Sequence, residues 1–337
     1  MTKKFNEFDL KESLIFLAVC GSHAYGLNDE HSDVDVRGIC VPTRKYFVSP
    51  FSNFEQYVGT DPAIEKIVGD RFKNINIDDC VIMNMAKYIK LASDCNPNII
   101  EQLFVLDKHK LFVNNKVWNL IEENKDLFVT LRAKHTFSGY AFAQLKRLKN
   151  HKKWVDNKPE KPSRADYGLP LQSKMGDRTF LNSILHAHQN PNIITNFSNG
   201  FIYLIKAELN YDNAMKEWQS YDTWIKQRNK KRFETETRAG YDTKHASHLI
   251  RLLRMGHEII STGKVNVDRS EIDAEELLAV KRHGVWSFEK LVEYAEKMQD
   301  ELDKLYVENP CGLPKKPNIK KIEKVFLTML DEFYRSL

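Results

Sequence analysis

The segment Leu14-Ile-Phe-Leu-Ala-Val-Cys20 is an unbroken apolar run that stops at Gly21. A strand with one face in water shows a polar residue at every second position. A run with no such alternation is what a strand covered on both faces requires. A second run, Val34 to Val41, closes at Pro42, so a two-strand unit with a short turn or helix between is the simplest reading. Residues 50–78 hold Pro50, Asn53, Gly59, Pro62 and Gly69 and read as irregular or as short strands. From Asp79 two readings stay open: a strand to Met83 with Asn84 capping a following helix, or one helix capped by Asp79 and reaching Ser93.

Beyond Asn96-Pro97-Asn98 the apolar spacing turns helical, in Val117–Asn124, Thr136–Lys153, Gly200–Trp218, Thr243–Ser261, Ala274–Lys281 and Phe288–Tyr306. The chain of 337 residues is long enough for about two domains. The expected division is an α/β part over 1–112 and a helical part over 113–337. Mean hydropathy of −0.50 and 29% charged residues suit a soluble globular protein. The five cysteines, Cys20, Cys40, Cys80, Cys95 and Cys311, are odd in number and form no C-x-x-C pair. Neither a disulfide framework nor a zinc knuckle is suggested, and they read as buried thiols of a reducing compartment. No run is long enough to span a bilayer and no secretory leader follows Met1, so a cytoplasmic protein with no membrane partner is expected.

Chemistry concentrates in Gly21-Ser-His-Ala-Tyr-Gly26 and Ser32-Asp-Val-Asp-Val-Arg-Gly38. On a strand Asp33 and Asp35 leave one face about 6 to 7 Å apart while Val34 and Val36 enter the core. Two adjacent anions are costly, and the usual remedies are protonation of one or a bound divalent cation. Oxygen ligands alone favour Mg²⁺ or Mn²⁺ over zinc. Gly21 and Ser22, at the end of the preceding strand, suit close approach of a phosphate to backbone N–H groups. A phosphate cradle beside a two-carboxylate metal site is the apparatus of phosphoryl or nucleotidyl transfer.

The string G-S-H-A-Y-G-(x5)-S-D-V-D-V-R-G resembles the DNA polymerase β-type nucleotidyltransferase superfamily, and within it the RNA ligase-associated (RlaP-type) branch of bacteria and large phages. Asn96-Pro-Asn-Ile-Ile-Glu-Gln-Leu-Phe, Thr136-Phe-Ser-Gly-Tyr-Ala-Phe-Ala-Gln-Leu-Lys-Arg and Tyr241-Asp-Thr-Lys-His-Ala-Ser-His-Leu-Ile-Arg-Leu-Leu-Arg-Met-Gly are similar to further blocks of that branch. The resemblance implies an α/β fold, a palm-like mixed sheet followed by a mainly helical C-terminal region. It also implies Gly21 and Ser22 on an NTP triphosphate and Asp33 and Asp35 as catalytic metal ligands, with a third carboxylate on a neighbouring strand. Asp79 is the candidate for that third ligand, with Asp78 and Glu101 in reserve. Arg37 either reaches a phosphate or pairs with these carboxylates.

His245, His248 and Arg251 share a face of the Thr243–Ser261 helix, with Lys244 near it. They are candidates for holding the nucleotide's phosphates or the acceptor; a metal role for the histidines, or plain solvated or core histidines, are the other readings. Between Thr130 and Trp154 lie seven Lys or Arg and no acidic residue, whereas Asp268–Glu308 carries twelve acidic residues against six basic. Lys146, Arg147, Lys149, Lys152 and Lys153, with Phe137, Tyr140, Phe142 and Trp154 nearby, suit phosphates and stacked bases of a nucleic acid, although aromatics at helical spacing also build cores. The Pro-rich loop Lys158–Arg164 reads as a lid or clamp, or as a surface excursion. Transfer of a nucleotide to RNA, a tRNA or an RNA end in a repair setting, is the preferred function. Nucleotidylation of a protein side chain and a non-catalytic nucleotide- or nucleic-acid-binding module are the alternatives.

Overall fold

A computed structural model describes residues 7–29, 32–59, 61–69, 80–171, 174–193, 196–227 and 230–336, the side chains of 230–234 excepted. Contacts gather the chain into two compact units, residues 1–148 with 243–337, and residues 149–242. This is not the 1–112 and 113–337 division expected from periodicity. Helices from both ends of the chain belong to the unit that holds the sheet.

That sheet has five strands: β1 (Leu14–Cys20), β2 (Asp35–Cys40), β3 (Gln56–Val58), β4 (Cys80–Asn84) and β5 (Lys110–Val113), in the order β3-β4-β2-β1-β5. β1 pairs antiparallel with β2 and β5, β2 is parallel to β4, and β3 is antiparallel to β4, so the sheet is mixed. β1 lies second from one edge and is buried along all but its last residue, as its unbroken apolar run requires. Gly38 of β2 leaves room for it: a Cβ there would meet Leu17 Cδ1 at 2.8 Å.

The helices of the sheet unit before the second unit begins are α1 (Leu10–Ser13), α2 (Gly21–Ala24), α3 (Lys45–Val48), α4 (Pro62–Gly69), α5 (Met85–Ser93), α6 (Pro97–Leu103), α7 (Asn115–Glu122) and the first part of α8 (Arg132–Asp156). Ile64 and Val68 of α4 join Leu17, Val19, Val36, Cys80 and Ile82 in one core cluster. On β1, Phe16 stacks on Trp118 of α7 with ring centroids 3.9 Å apart. Of the two readings from Asp79, the strand is the observed one: Asn84 ends β4 and its side chain accepts a hydrogen bond from Ala86 N–H at 2.9 Å to cap α5. The segment expected to be irregular or to carry short strands holds the three-residue β3 and also α4, started by Pro62 behind Asp61, whose carboxylate accepts from Ala63 N–H at 2.9 Å.

The second unit contains the end of α8, then α9 (Arg178–Gln189), α10 (Asn199–Lys226) and α11 (Lys230–Ala239). The chain returns to the sheet unit with α12 (Thr243–Thr262), α13 (Ala274–His283), α14 (Phe288–Glu308) and α15 (Ile319–Arg335). α15, absent from the periodicity reading, packs on α7 and α5. No helix among the described residues is long and apolar enough to cross a membrane. Cys40, Cys80 and Cys95 are buried and Cys20 is half-buried, but Cys311 is exposed, which corrects the expectation that all five thiols are covered.

Candidate active site

The end of β1 and the start of β2 bring the two motifs together. Cys20 is paired with Asp35 across the ladder, so Gly21 emerges beside the Asp35 carboxylate. Gly21 has φ +63°, and a Cβ built on it would lie 2.0 Å from Asp35 Oδ2. Glycine is therefore required twice here, for the left-handed backbone and for the space. The Cys20 thiol, in contact with the same ladder, is pushed up to about 12 by burial and stays neutral.

Strand β2 begins at Asp35, and Asp33 lies in the stretch that leads into it. The expected alternation nonetheless holds: Asp33 is exposed, Val34 buried, Asp35 half-buried, Val36 buried and Arg37 half-buried. Asp33, Asp35 and Arg37 thus share the open face. Arg37 Nη2 sits 3.4 Å from Asp35 Oδ1 and Nη1 donates to the Val36 carbonyl at 2.9 Å, so of the two roles left open for it the carboxylate pairing is the one present. The two carboxylates supply oxygen donors of the kind a hard divalent cation takes, and the Arg37 guanidinium beside Asp35 adds a positive charge. Asp79 and Asp78 lie outside the described residues.

Glu101 and Arg251 meet elsewhere. Arg251 Nη1 donates to Glu101 Oε1, Tyr25 Oη donates to Glu101 Oε2, and the Arg251 guanidinium lies 3.7 Å over the Tyr25 ring. All three are buried, Arg251 to 3% exposure and Glu101 to 4%. Both Glu101 oxygens are engaged by protein donors, and the Arg251 charge is spent on Glu101 rather than presented at a surface. Burial, together with the Glu101 charge, holds the Tyr25 phenol well above its ordinary value, so it remains a donor. His245 and His248 are half-buried on α12 and Lys244 is exposed.

Tyr25 and Gly26 also rest on a segment far away in sequence. The Arg269 N–H donates to the Tyr25 carbonyl at 3.0 Å, and a Cβ on Gly26, φ +68°, would come within 2.3 Å of Ser270 Oγ. Lys281 Nζ donates to the Leu27 carbonyl at 2.8 Å and stands 3.7 Å from Asp29 Oδ2. Neither Lys281 nor the 268–270 segment was a sequence candidate; nothing in spacing or composition ties them to a motif some 250 positions earlier.

On α8, Lys146, Arg147 and Lys149 are exposed and form no ion pair among the described residues, while Lys152 pairs with Asp156 at 3.3 Å and Lys153 with Glu217 at 2.5 Å. Of the aromatics beside them, Phe137 and Trp154 are core, and Tyr140, at 38% exposure, accepts from Asn96 Nδ2 at 2.8 Å. The Pro-rich loop is pinned within its own unit: Arg164 donates to both oxygens of buried Glu208 at 2.7 and 2.8 Å, and Lys161 lies 5.1 Å over the Trp218 ring.

Residues 2–160 match the family described as RlaP, RNA repair pathway DNA polymerase beta family. No curated protein and no solved structure matches the chain.

Proposed function

We propose, from the match of residues 2–160 to the RNA repair pathway DNA polymerase beta family, that the protein transfers a nucleotidyl group from an NTP to a hydroxyl of RNA. The observation that carries this reading is the meeting of the two motifs at atomic distance, with Gly21 leaving the space that a Cβ would take from Asp35 Oδ2. Gly21 and Ser22 receive the triphosphate, and Asp33 and Asp35 hold Mg²⁺ or Mn²⁺. Asp79, next in sequence before β4, whose first residue Cys80 pairs with Val36 in the neighbouring β2, is the proposed third carboxylate. The bound ion supplies Lewis-acid stabilisation of charge on the phosphate oxygens.

The acceptor oxygen forms a bond to the α-phosphorus as the bond to pyrophosphate breaks, and the hydroxyl proton passes to a carboxylate of the site. Arg37, already beside Asp35, neutralises part of the negative charge that gathers there. His245 and His248 remain proposed on the substrate side.

RNA is favoured as acceptor by where the charge lies. Residues 149–242 hold sixteen Lys and Arg against eleven Asp and Glu, and the rest of the chain holds thirty-five of each, so the whole net charge of +5 belongs to the second unit. Lys146, Arg147, Lys149, Lys152 and Lys153 are the proposed phosphate contacts. The test is incubation with α-labelled NTPs and Mg²⁺ or Mn²⁺, with RNA and protein offered separately. Label on RNA, abolished by Asp33→Ala and by Asp35→Ala, is expected. No transfer by the wild type, or equal transfer by Asp35→Ala, overturns the reading, and label on protein alone overturns the acceptor.

A further inference from the structure

The loop from Gly21 to Asp33 joins the two motifs, and its described residues hold their shape only in part by bonds among themselves. α2 spans four residues, far below the length at which a helix is stable alone. Its internal bonds include Tyr25 N–H to the Gly21 carbonyl at 3.1 Å and Leu27 N–H to the Ser22 carbonyl at 2.8 Å. Gly26 N–H also donates to the His23 carbonyl at 3.3 Å, and Asp29 and Ser32 close a turn of their own, Ser32 N–H to the Asp29 carbonyl at 3.0 Å and Asp29 N–H to Ser32 Oγ at 2.8 Å. Other contacts come from outside the loop. Tyr25 is held at its hydroxyl by Glu101, over its ring by Arg251 and at its carbonyl by Arg269. Two residues on, Lys281 takes the Leu27 carbonyl and faces Asp29.

These holding groups are themselves held. Arg269, fully buried, donates to Glu258 Oε1 and Oε2 at 2.7 Å each and to Asp273 Oδ1 at 2.7 Å, and Arg254 binds Asp273 at 2.9 Å and Glu276 at 2.7 Å. The Lys281 carbonyl accepts from Thr243 Oγ1 at 2.8 Å, which ties α13 to the start of α12. A buried ion pair adds little net stability over well-packed apolar groups, since desolvation offsets most of the attraction. What the Glu101–Arg251 pair adds is direction: with Oε1 held by Arg251, Glu101 offers Oε2 to Tyr25 at one place.

We propose that Arg251 and Lys281, both outside the family-matched segment, are positioning residues that set the loop between the Gly21–Ser22 turn and the Asp33–Asp35 carboxylates. The role in transfer rests on the function proposed above; the role in ordering the loop does not. The variants are Tyr25→Phe, Arg251→Met, Arg251→Lys and Lys281→Met in the full chain. Amide hydrogen exchange in peptides covering 21–29 is compared with that in β5 and α7, alongside KM and kcat for the NTP. Exchange in the loop is expected to rise roughly tenfold or more in Lys281→Met and Tyr25→Phe with β5 and α7 unchanged; in Arg251→Met, which leaves buried Glu101 without its cation, it is expected to rise beyond any increase in β5 and α7, and Arg251→Lys to restore part of it. KM for the NTP rises by a similar factor, because a misplaced loop weakens ground-state and transition-state contacts together. Unchanged loop exchange in folded Lys281→Met and Tyr25→Phe overturns the proposal, as does an increase spread evenly over β5 and α7, which is the mark of lost global stability. Absence of transfer in the wild type removes the catalytic reading, while the exchange measurement still decides the loop.

Discussion

Gly21 is the residue at which backbone and chemistry impose the same demand. A left-handed conformation costs an L-residue about 1–2 kcal/mol, and the methyl of alanine would occupy the place of Asp35 Oδ2. Gly21→Ala is expected to lower the unfolding free energy by at least about 1–2 kcal/mol in urea and to abolish nucleotide labelling, since the displaced carboxylate is one of the proposed metal ligands. Asp268 makes a pH prediction of the same local kind. Burial alone raises a carboxyl, but Lys108 at 2.5 Å and the Ser270 N–H and hydroxyl at 2.9 and 2.6 Å more than offset it and hold Asp268 at about 2. Its value in the unfolded chain is about 3.9, so its contribution to stability is complete above that pH and is lost as the pH falls toward the folded value. Between about pH 4 and pH 2 the unfolding free energy of the wild type is expected to fall more steeply than that of Asp268→Asn. At this scale the sequence was most readable where spacing is short: Asp35 and Arg37 share a face because a strand has a period of two, and the alternation of exposure reaches back to Asp33 just ahead of the strand.

Elements were legible wherever their signal is local. β1 runs over the residues of its apolar stretch, and Asn84 marks the boundary between β4 and α5. β5 and α15 were missed: β5 has four residues, too few for a pattern, whereas α15 carries a clear helical apolar spacing, with Ile322, Met329 and Phe333 in the core, and was within reach of the sequence. The aromatics of α8 show the limit of composition, since Phe137 and Trp154 turned inward to pack instead of outward to stack on bases. Composition left the loop Lys158–Arg164 as a lid, a clamp or a surface excursion, whereas Arg164 anchors it on α10. Arg164→Met leaves the fully buried Glu208 carboxylate without its cation, and unfolding measurements are expected to show a loss of about 3–5 kcal/mol in the stability of the second unit. Arg164→Lys should recover only part of that, because a single ammonium cannot serve both carboxylate oxygens.

For the molecule as a whole, the compact unit and the family-matched segment have different boundaries. A protein ending at residue 160 keeps the entire matched segment but loses Arg251, Ser270, Lys281 and α15, and with α15 the partner of α7 and α5. It also loses the Pro314 carbonyl that accepts from Leu131 N–H at 3.0 Å. Such a truncation is expected to lack near-ultraviolet circular dichroism and to exchange its β1 amides rapidly. The charge distribution predicts the salt response: affinity for RNA should fall steeply between low and physiological ionic strength, and Lys146→Ala/Arg147→Ala/Lys149→Ala should flatten that slope by about one unit for each phosphate no longer neutralised.

The sequence by itself determined the strand that starts the sheet, the Gly-Ser and Asp-x-Asp motifs, the family resemblance and the helical character of the C-terminal region, because each is written in local spacing or in residue strings that can be read without the fold. Tertiary structure alone decided that Gly21 meets Asp35 at one point, that Glu101 and Arg251 are a buried pair behind Tyr25, and that residues 243–283 belong with the sheet. Those outcomes depend on which distant surfaces bury each other and on which charges must be paired once buried, and neither is set by local spacing.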